Sequence, residues 1–397
     1  MTKTKFLDLG RQPIANAFLT QDQIEDEYFF NLGVTFDDET KLVSLSEFVD
    51  KERLFHDDYA YHSSMSQTMQ DHFRNAAIHV GHLFPNSKKK FLEIGSNDGV
   101  FLKNFSPKQI VAVEPCGNFA RMTHDMGYET YQSFWDDKIA GELKNLYGGF
   151  SAVYAANCMC HIPDIENAFK AVENVLSEHG LFIFEDPSLL EMFRKTSYDQ
   201  IYDEHAHIFS LTAVQTLLNR VGMHIIDVVQ LGVHGGSNRI IAARITDSRR
   251  PTFRVTDLLQ QEIMLGLGEI GAYHSFAKRV EESRDKLINT LKRYKKLGNK
   301  IIGYGATSKS VVVYNYCGIG PDIIDYVVDT TPSKQNKLIP GMHIPIYRPS
   351  TSGIGIDVNV AFLGAWNFVD EITRKEADFI KRGGAFLTHV PSIRVIP

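Results

Sequence analysis

At 397 residues the chain is too long for a single hydrophobic core, so two or three domains are expected. Its 43% hydrophobic and 23% charged residues are those of a soluble globular protein, and a net charge of -6 offers no basic surplus to draw nucleic acid as the main partner. The opening MTKTKFLDLG has no apolar signal core and no later stretch reaches the ~20 apolar residues of a membrane span, so a cytoplasmic enzyme with no membrane attachment is expected. The cysteines, Cys116, Cys158, Cys160 and Cys317, are too few and too scattered for a disulfide framework and are expected to be reduced thiols.

Residues 1–58 read as a small lobe with strands at 28–35 and 41–45, the second following the turn-forming Asp37-Asp38-Glu39. The lobe has too little apolar sequence to stand alone. The segment DYAYHSSMSQTMQDHFRNAAIHVGHLF then carries a helical period through Met65, Met69, His72, Phe73, Ala76 and Val80. Tyr59, Tyr61, His62, Ser63 and Ser64 precede that helix, where they can face a ligand or simply cap it.

The stretch KFLEIGSNDGVFLKNFSPKQIVAVE packs a strand (Phe91–Ile94), a glycine turn, a short helix and a second strand (Ile110–Val113) into few residues. Gly95 and Gly99 bracket Ser96, Asn97 and Asp98, a turn that lets backbone approach a ligand closely. Glu114 ends the second strand about 20 residues after Glu93, the place from which an acid reaches ribose hydroxyls. The pattern E-x-G-x-N-D-G lacks the G-x-G-x-x-G spacing of pyrophosphate loops, which argues against NAD. S-adenosylmethionine, with an ammonium and a sulfonium to satisfy and no pyrophosphate, fits it. Expected cofactor contacts are Glu93, Gly95, Asn97, Asp98, Glu114, Pro115, Phe134 and Asn157.

From Phe91 onward strands alternate with helices, as a doubly wound α/β sheet requires: Phe91–Ile94, Ile110–Val113, Glu129–Tyr131, 152–156 and 181–185, with a helix at 165–176 stopped before Gly180. Asn157 opens the loop after the fourth strand, and Cys158, Cys160 and His161 follow; C-x-C-H without a paired second half is a poor metal site. A helix at 212–221 leads to strands 224–231 and 239–245, joined by the glycine-rich 232–238 as an antiparallel hairpin. Five parallel strands closed by such a hairpin is the sheet layout of the class I S-adenosylmethionine methyltransferases, a fold analogy. Residues 251–298 read as a helical connector broken near Gly266, Gly268 and Gly271.

Residues 299–397 repeat the strand, glycine turn and helix logic in KIIGYGATSKSVVVYNYCGI, where Ser308 and Lys309 open a helix and are well placed for a phosphate. Strands at 323–328, 358–363 and 385–387 complete a second Rossmann-like domain, and Asp329 ends the first of these. Two nucleotide-binding-like sheets suggest one cofactor site and one nucleotide-bearing substrate site. The densest titratable cluster is Tyr202-Asp203-Glu204-His205-Ala206-His207; histidine suits proton transfer near neutral pH, and only a loop can aim several consecutive residues together.

Taken in order, DYAYHSS, EIGSNDGVFL, VEP, ANCMCHIPD, YDEHAHIFS, HGGSNR and GYGATSKS, with IDYVVDTTPSKQNKLIPGMHIPI, resemble the nucleotide-sugar C-methyltransferases, from about Phe6 to the carboxyl terminus. The resemblance is to enzymes that methylate C3 of TDP-linked 4-keto deoxysugars. It implies His205 as base with Tyr202 and Glu204 beside it. Tyr61, His62, Ser63, His161, His234, Ser237 and Arg239 are expected around the sugar or its diphosphate, and Tyr304, Lys309 and Asp329 around the nucleotide. Two departures stand out. The family's lobe is usually built on zinc held by paired cysteines, but the first cysteine here is Cys116, so no metal is expected. Position 207 is a histidine where an aromatic is expected, with a possible effect on sugar choice. The expected partner is a nucleoside-diphosphate sugar, and the protein a monomer or homodimer. O- or N-methylation of a related nucleotide sugar, and binding of one without turnover, stay open as alternatives.

Overall fold

The computed structural model describes residues 3–57, 59–85, 90–350 and 354–397; Asp58, which opens the DYAYHSS block and ends the lobe, lies outside the described residues, as do the first two positions. Three sheets organise the chain.

The lobe is a four-stranded antiparallel sheet in the order Lys3–Pro13, Phe29–Asp37, Val43–Leu45 and His207–Ile208. Its longest strand, Lys3–Pro13, has no clean period of two in the sequence. It lies at the sheet edge and shifts register between Lys5 and Leu7 and again between Asp8 and Arg11, so the apolar alternation is broken by the backbone itself. The fourth strand comes from the middle of the chain. There His207 accepts from the Ser44 hydroxyl at Nδ1 (2.8 Å) and donates from Nε2 to the Pro163 carbonyl (3.1 Å). This corrects the expectation for position 207: the ring stitches the lobe to the central domain and does not line the site cavity.

The central sheet has seven strands in the order Met223–Leu231, Ser237–Arg244, Leu176–Pro187, Phe150–Ala156, Phe91–Ile94, Ile110–Val113 and Glu129–Tyr131. The last five run parallel and the hairpin is antiparallel to them. The order reverses at Phe91–Ile94, which puts its carboxyl end at the switch point where α/β sheets bind ligands.

Two helices, Phe253–Met264 and Ile270–Lys296, form the connector, interrupted at 265–269 where Gly266 takes φ +69°. Tyr273 on the second helix is fully buried. It stacks on Phe36 of the lobe (4.5 Å) and meets Phe193 of the central domain edge-on (5.1 Å), each pair adding ~0.5–1.5 kcal/mol beyond its buried area. The lobe thus shares its core with its neighbours.

The carboxyl-terminal sheet runs Ile346–Tyr347, Val327–Val328, Ile301–Tyr304, Val360–Leu363, Ala385–Thr388 and Arg394–Ile396, parallel except at the last strand. Only Val327 and Val328 of the expected strand 323–328 are extended, because Ile323 and Ile324 both donate to the Gly320 carbonyl in a tight turn. Both isoleucines are nevertheless buried, which is what made the run look like a strand.

Candidate active site

One cavity of about 570 Å³ gathers side chains from the lobe, the central domain and the carboxyl-terminal domain. At the switch-point end Gly95 takes φ +73°, and a Cβ there would stand 2.9 Å from the Cys158 sulfur, so the turn is pressed against the neighbouring loop. Glu93 is buried with Oε2 unpartnered; burial first, then the Glu114 carboxylate, hold its pKa well above the usual carboxylate range. Glu114 accepts from the backbone of Asn97 (2.7 Å) and Cys116 (2.8 Å), and burial still raises it. Phe134, Pro115 and Asn157 line the same end, and Lys51 of the lobe sits 4.4 Å over the Phe134 ring. An orphaned buried carboxylate oxygen beside a close-approach glycine fits a ligand carrying ammonium and hydroxyl donors.

Asn97 and Asp98 do a different job from the one expected of them. Asn97 accepts from Ser63 N (2.9 Å) and donates to the Tyr61 carbonyl (3.0 Å), while Asp98 accepts from Ser64 N (2.9 Å). They tie the 61–64 segment across the glycine turn; Asn97 still borders the cavity, Asp98 does not. Tyr61 and Ser63 line the cavity, but His62 turns away, edge-on to Phe119 at 4.8 Å.

In the middle sits His205, 4% exposed on a buried loop. Its Nδ1 lies 2.7 Å from the Gln200 carbonyl, which can only accept, so Nδ1 carries the hydrogen and Nε2 keeps its lone pair. Burial first, then electrostatic repulsion of its charged form by His161 and by the Lys309 ammonium, keep its pKa well below the ordinary value. His161 stacks on His205 at 5.3 Å and on Phe55 at 5.4 Å, its Nε2 unpartnered and its pKa pushed down to about 4 by burial. Tyr202 packs 4.0 Å from the His205 ring and, with its pKa raised by burial and Glu204, keeps its proton. Glu204 accepts from Asn16 of the lobe (2.6 Å) and Tyr59 (2.9 Å). Cys160, His161 and His205 have donor atoms within 4.8 Å of one another, with the two imidazoles stacked at 24°. His234, at φ +53°, lines the cavity with its pKa lowered to about 3 by burial.

The third end belongs to the carboxyl-terminal domain. Thr307, Ser308 and Lys309, at the start of helix Ser308–Cys317, line it together with Lys334. Lys334 is 8% exposed and donates to the Ala306 carbonyl (2.8 Å); among the described residues neither lysine has a carboxylate within ion-pair distance. Burial lowers both ammonium pKa values. Two desolvated cations facing a cavity call for an anion.

Besides Asp98 and His62, four further expected contacts stand outside the cavity lining. Arg239 is drawn to Glu185 (2.6 Å), whose carboxyl burial alone would raise but which His72 and Arg239 pull down to about 2. Ser237 donates to the Val233 carbonyl (3.2 Å). Tyr304 points into the sheet core and donates to Glu376 (2.9 Å). Asp329 accepts from Ala306 N (2.7 Å) and Thr331 N (2.8 Å), shaping the turn that carries Lys309 and Lys334 without touching the cavity. Asn16, Gln200 and Lys334 were missed by sequence reasoning, whereas Tyr59 belongs to the cluster named ahead of the helix as able to face a ligand. Only Lys334, in DTTPSKQNK after a strand end, carried a local signal.

A switch-point glycine turn with acidic neighbours, on a parallel sheet closed by a hairpin, defines an S-adenosylmethionine-dependent methyltransferase of the class I Rossmann-like fold, flanked here by a lobe and a second sheet domain. Residues 67–228 match the family described as methyltransferase domain, 232–391 the C-methyltransferase C-terminal domain, and 1–55 a putative zinc binding domain. Over 394 residues the chain is 31% identical to the C-methyltransferase NovU of Streptomyces niveus, spanning 98% of this chain and 93% of that protein. The chain belongs to this C-methyltransferase family, and S-adenosylmethionine is its methyl donor. Among solved structures, a Thermotoga maritima methyltransferase described as a possible histamine N-methyltransferase is 17% identical, covering 44% of this chain and 88% of that one at a TM-score of 0.33. The PH0226 protein of Pyrococcus horikoshii is 16% identical, covering 50% and 100% at 0.35.

The lobe does not fit the metal in its family's name. Residues 1–55 contain neither cysteine nor histidine, the ligands of structural zinc. Leu32, Val34 and Val43, all fully buried, fill the sheet core instead. No helix among the described residues is long and apolar enough to cross a membrane.

Proposed function

We propose that the enzyme C-methylates a 4-keto sugar carried on a nucleoside diphosphate, at C3, with His205 as the base. The observation that carries this reading is the ordering of one cavity: acids at the glycine turn, an imidazole with Nε2 left to accept in the middle, and, at the far end, two lysines with no ion-pair partner among the described residues. His205 Nε2 takes the proton from the carbon next to the ketone, and the electron pair delocalises onto the ketone oxygen. Tyr202, held protonated, and His161 are the donors available to that oxygen. Glu93, Gly95 and Glu114 would hold S-adenosylmethionine, which when bound would supply an electrophilic methyl for the enolate carbon, with the neutral thioether as leaving group. Lys309, Lys334 and the Ser308 helix start hold the diphosphate, so the sugar is positioned by its charged handle.

The test is solvent deuterium exchange of the substrate α-proton without methyl donor, together with mass gain of one methyl on a panel of TDP-, GDP- and CDP-linked 4-keto sugars. Wild type exchanges and methylates; His205→Ala loses both by ~10²–10⁴-fold. Methylation with no exchange would favour transfer to oxygen or nitrogen, and His205→Ala at full activity would remove the base assignment.

A further inference from the structure

The turn that orients His205 is held from the other domain. Ser197, Tyr198, Asp199, Gln200 and Ile201 are at most 1% exposed, and Gln200 supplies the carbonyl bound to His205 Nδ1. Asp199, its immediate neighbour, receives the indole N–H of Trp366 at 2.5 Å, across 167 residues of sequence. Its other oxygen has no partner among the described residues, so the indole is its one neutral donor, with His389 further off at 3.7 Å. Tyr198 meets Cys317 at 3.6 Å, at the end of the helix whose start carries Lys309. The Trp366 ring also lies over Gly235, where a Cβ would stand 2.4 Å from it, one residue from the cavity-lining His234.

Asn367 and Phe368, the residues after Trp366, line the cavity themselves. One turn of the carboxyl-terminal domain therefore forms cavity wall and contacts two central-domain loops whose Gln200 and His234 line the cavity with the base. A buried carboxylate that loses its donor will seek another by moving, and the segment it moves is the one bonded to the imidazole.

We propose that Trp366 is a positioning residue for proton abstraction: its hydrogen bond to Asp199 fixes the Tyr198–Gln200 turn, and that turn aims His205. The carboxyl-terminal domain then contributes to the chemical step as well as to substrate binding. This rests on His205 being the base.

Trp366→Phe removes the N–H together with the far edge of the indole (Cη2, Cζ2 and Cζ3) that lies over Gly235, so the Asp199 variants below isolate the hydrogen bond. Expected are a 10- to 100-fold fall in both kcat and α-proton exchange, with KM for the nucleotide sugar and the affinity for S-adenosylmethionine within about threefold of wild type. Asp199→Asn, which keeps an oxygen to accept the indole N–H, recovers most of the exchange rate, whereas Asp199→Ala does not. If Trp366→Phe fails to fold, the contrast between the two Asp199 variants decides. His205→Ala is the control. If it leaves exchange intact, the base reading fails; if it abolishes exchange while Trp366→Phe exchanges at the wild-type rate, the positioning role fails. Equal loss of exchange in Asp199→Asn and Asp199→Ala, or a parallel loss of donor binding in Trp366→Phe, would also overturn it.

Discussion

Gly95→Ala puts a number on how tightly the cofactor turn is built. At φ +73° an alanine pays ~1–2 kcal/mol for the left-handed backbone alone. Its Cβ would also stand 2.9 Å from the Cys158 sulfur and 3.1 Å from the Cys158 Cβ, an overlap that costs ~1–3 kcal/mol to relieve. The expected total is ~2–5 kcal/mol, part appearing as a lower unfolding midpoint and part as S-adenosylmethionine affinity weakened at least ~10-fold, since relief comes by moving the turn off its ligand. Cys158→Ala removes the nearer atom and leaves the backbone term untouched. In a double-mutant cycle it should therefore return the sulfur's share of the overlap, with the Cys158 Cβ contact at 3.1 Å retained, a coupling of at most ~1–3 kcal/mol. Isothermal titration with the methyl donor and denaturation of the apo protein measure the two components. A Gly95→Ala protein within ~1 kcal/mol of wild type, or a cycle with no coupling, would refute the account.

Lys334→Met should weaken nucleotide-sugar binding by ~1.5–3 kcal/mol, roughly 10- to 150-fold, while donor affinity stays unchanged, both read by titration calorimetry. Asn16→Ala takes the lobe's donor from Glu204 and should raise the activation barrier behind kcat by ~1–3 kcal/mol with little change in donor affinity, showing that the lobe serves the site. Asp203 is raised to about 8, by burial first and then by Glu204, so the folded protein holds a proton the unfolded chain releases near pH 4. The stability this gives is whole below about pH 4 and is lost as pH rises through about 8. Asp203→Asn, which keeps an oxygen for the Ala15 N–H, should flatten that decline; thermal midpoints from pH 5 to pH 8 that fall equally in both proteins would contradict it.

Much of the central domain was legible because its signals are local. The strands Phe91–Ile94, Ile110–Val113 and Glu129–Tyr131 fall where short apolar runs and turn residues put them, and the connector breaks at Gly266 as glycine chemistry requires. The edge strand Lys3–Pro13 was not legible, because two register shifts erase the alternation a reader would look for. Among site residues, motif membership and cavity contact came apart at Asp98, Arg239, Tyr304 and Asp329. Each sits in a block that marks the family, yet a polar atom of each is bound outside the cavity, to Ser64, Glu185, Glu376 and Ala306 respectively.

Sequence by itself determined the alternation of strands and helices, the glycine turn that suits a methyl donor, and the histidine with the chemistry of a base. Tertiary structure decided which side chains surround them: Asn16 reaches Glu204 across 188 residues, Trp366 reaches Asp199 across 167, and Lys334 comes to the same wall as Lys309. The physical reason is that backbone geometry and hydrophobic period act over a few residues and leave a mark in the chain, whereas a hydrogen bond between distant side chains depends on how three separate sheets pack, which no local pattern records.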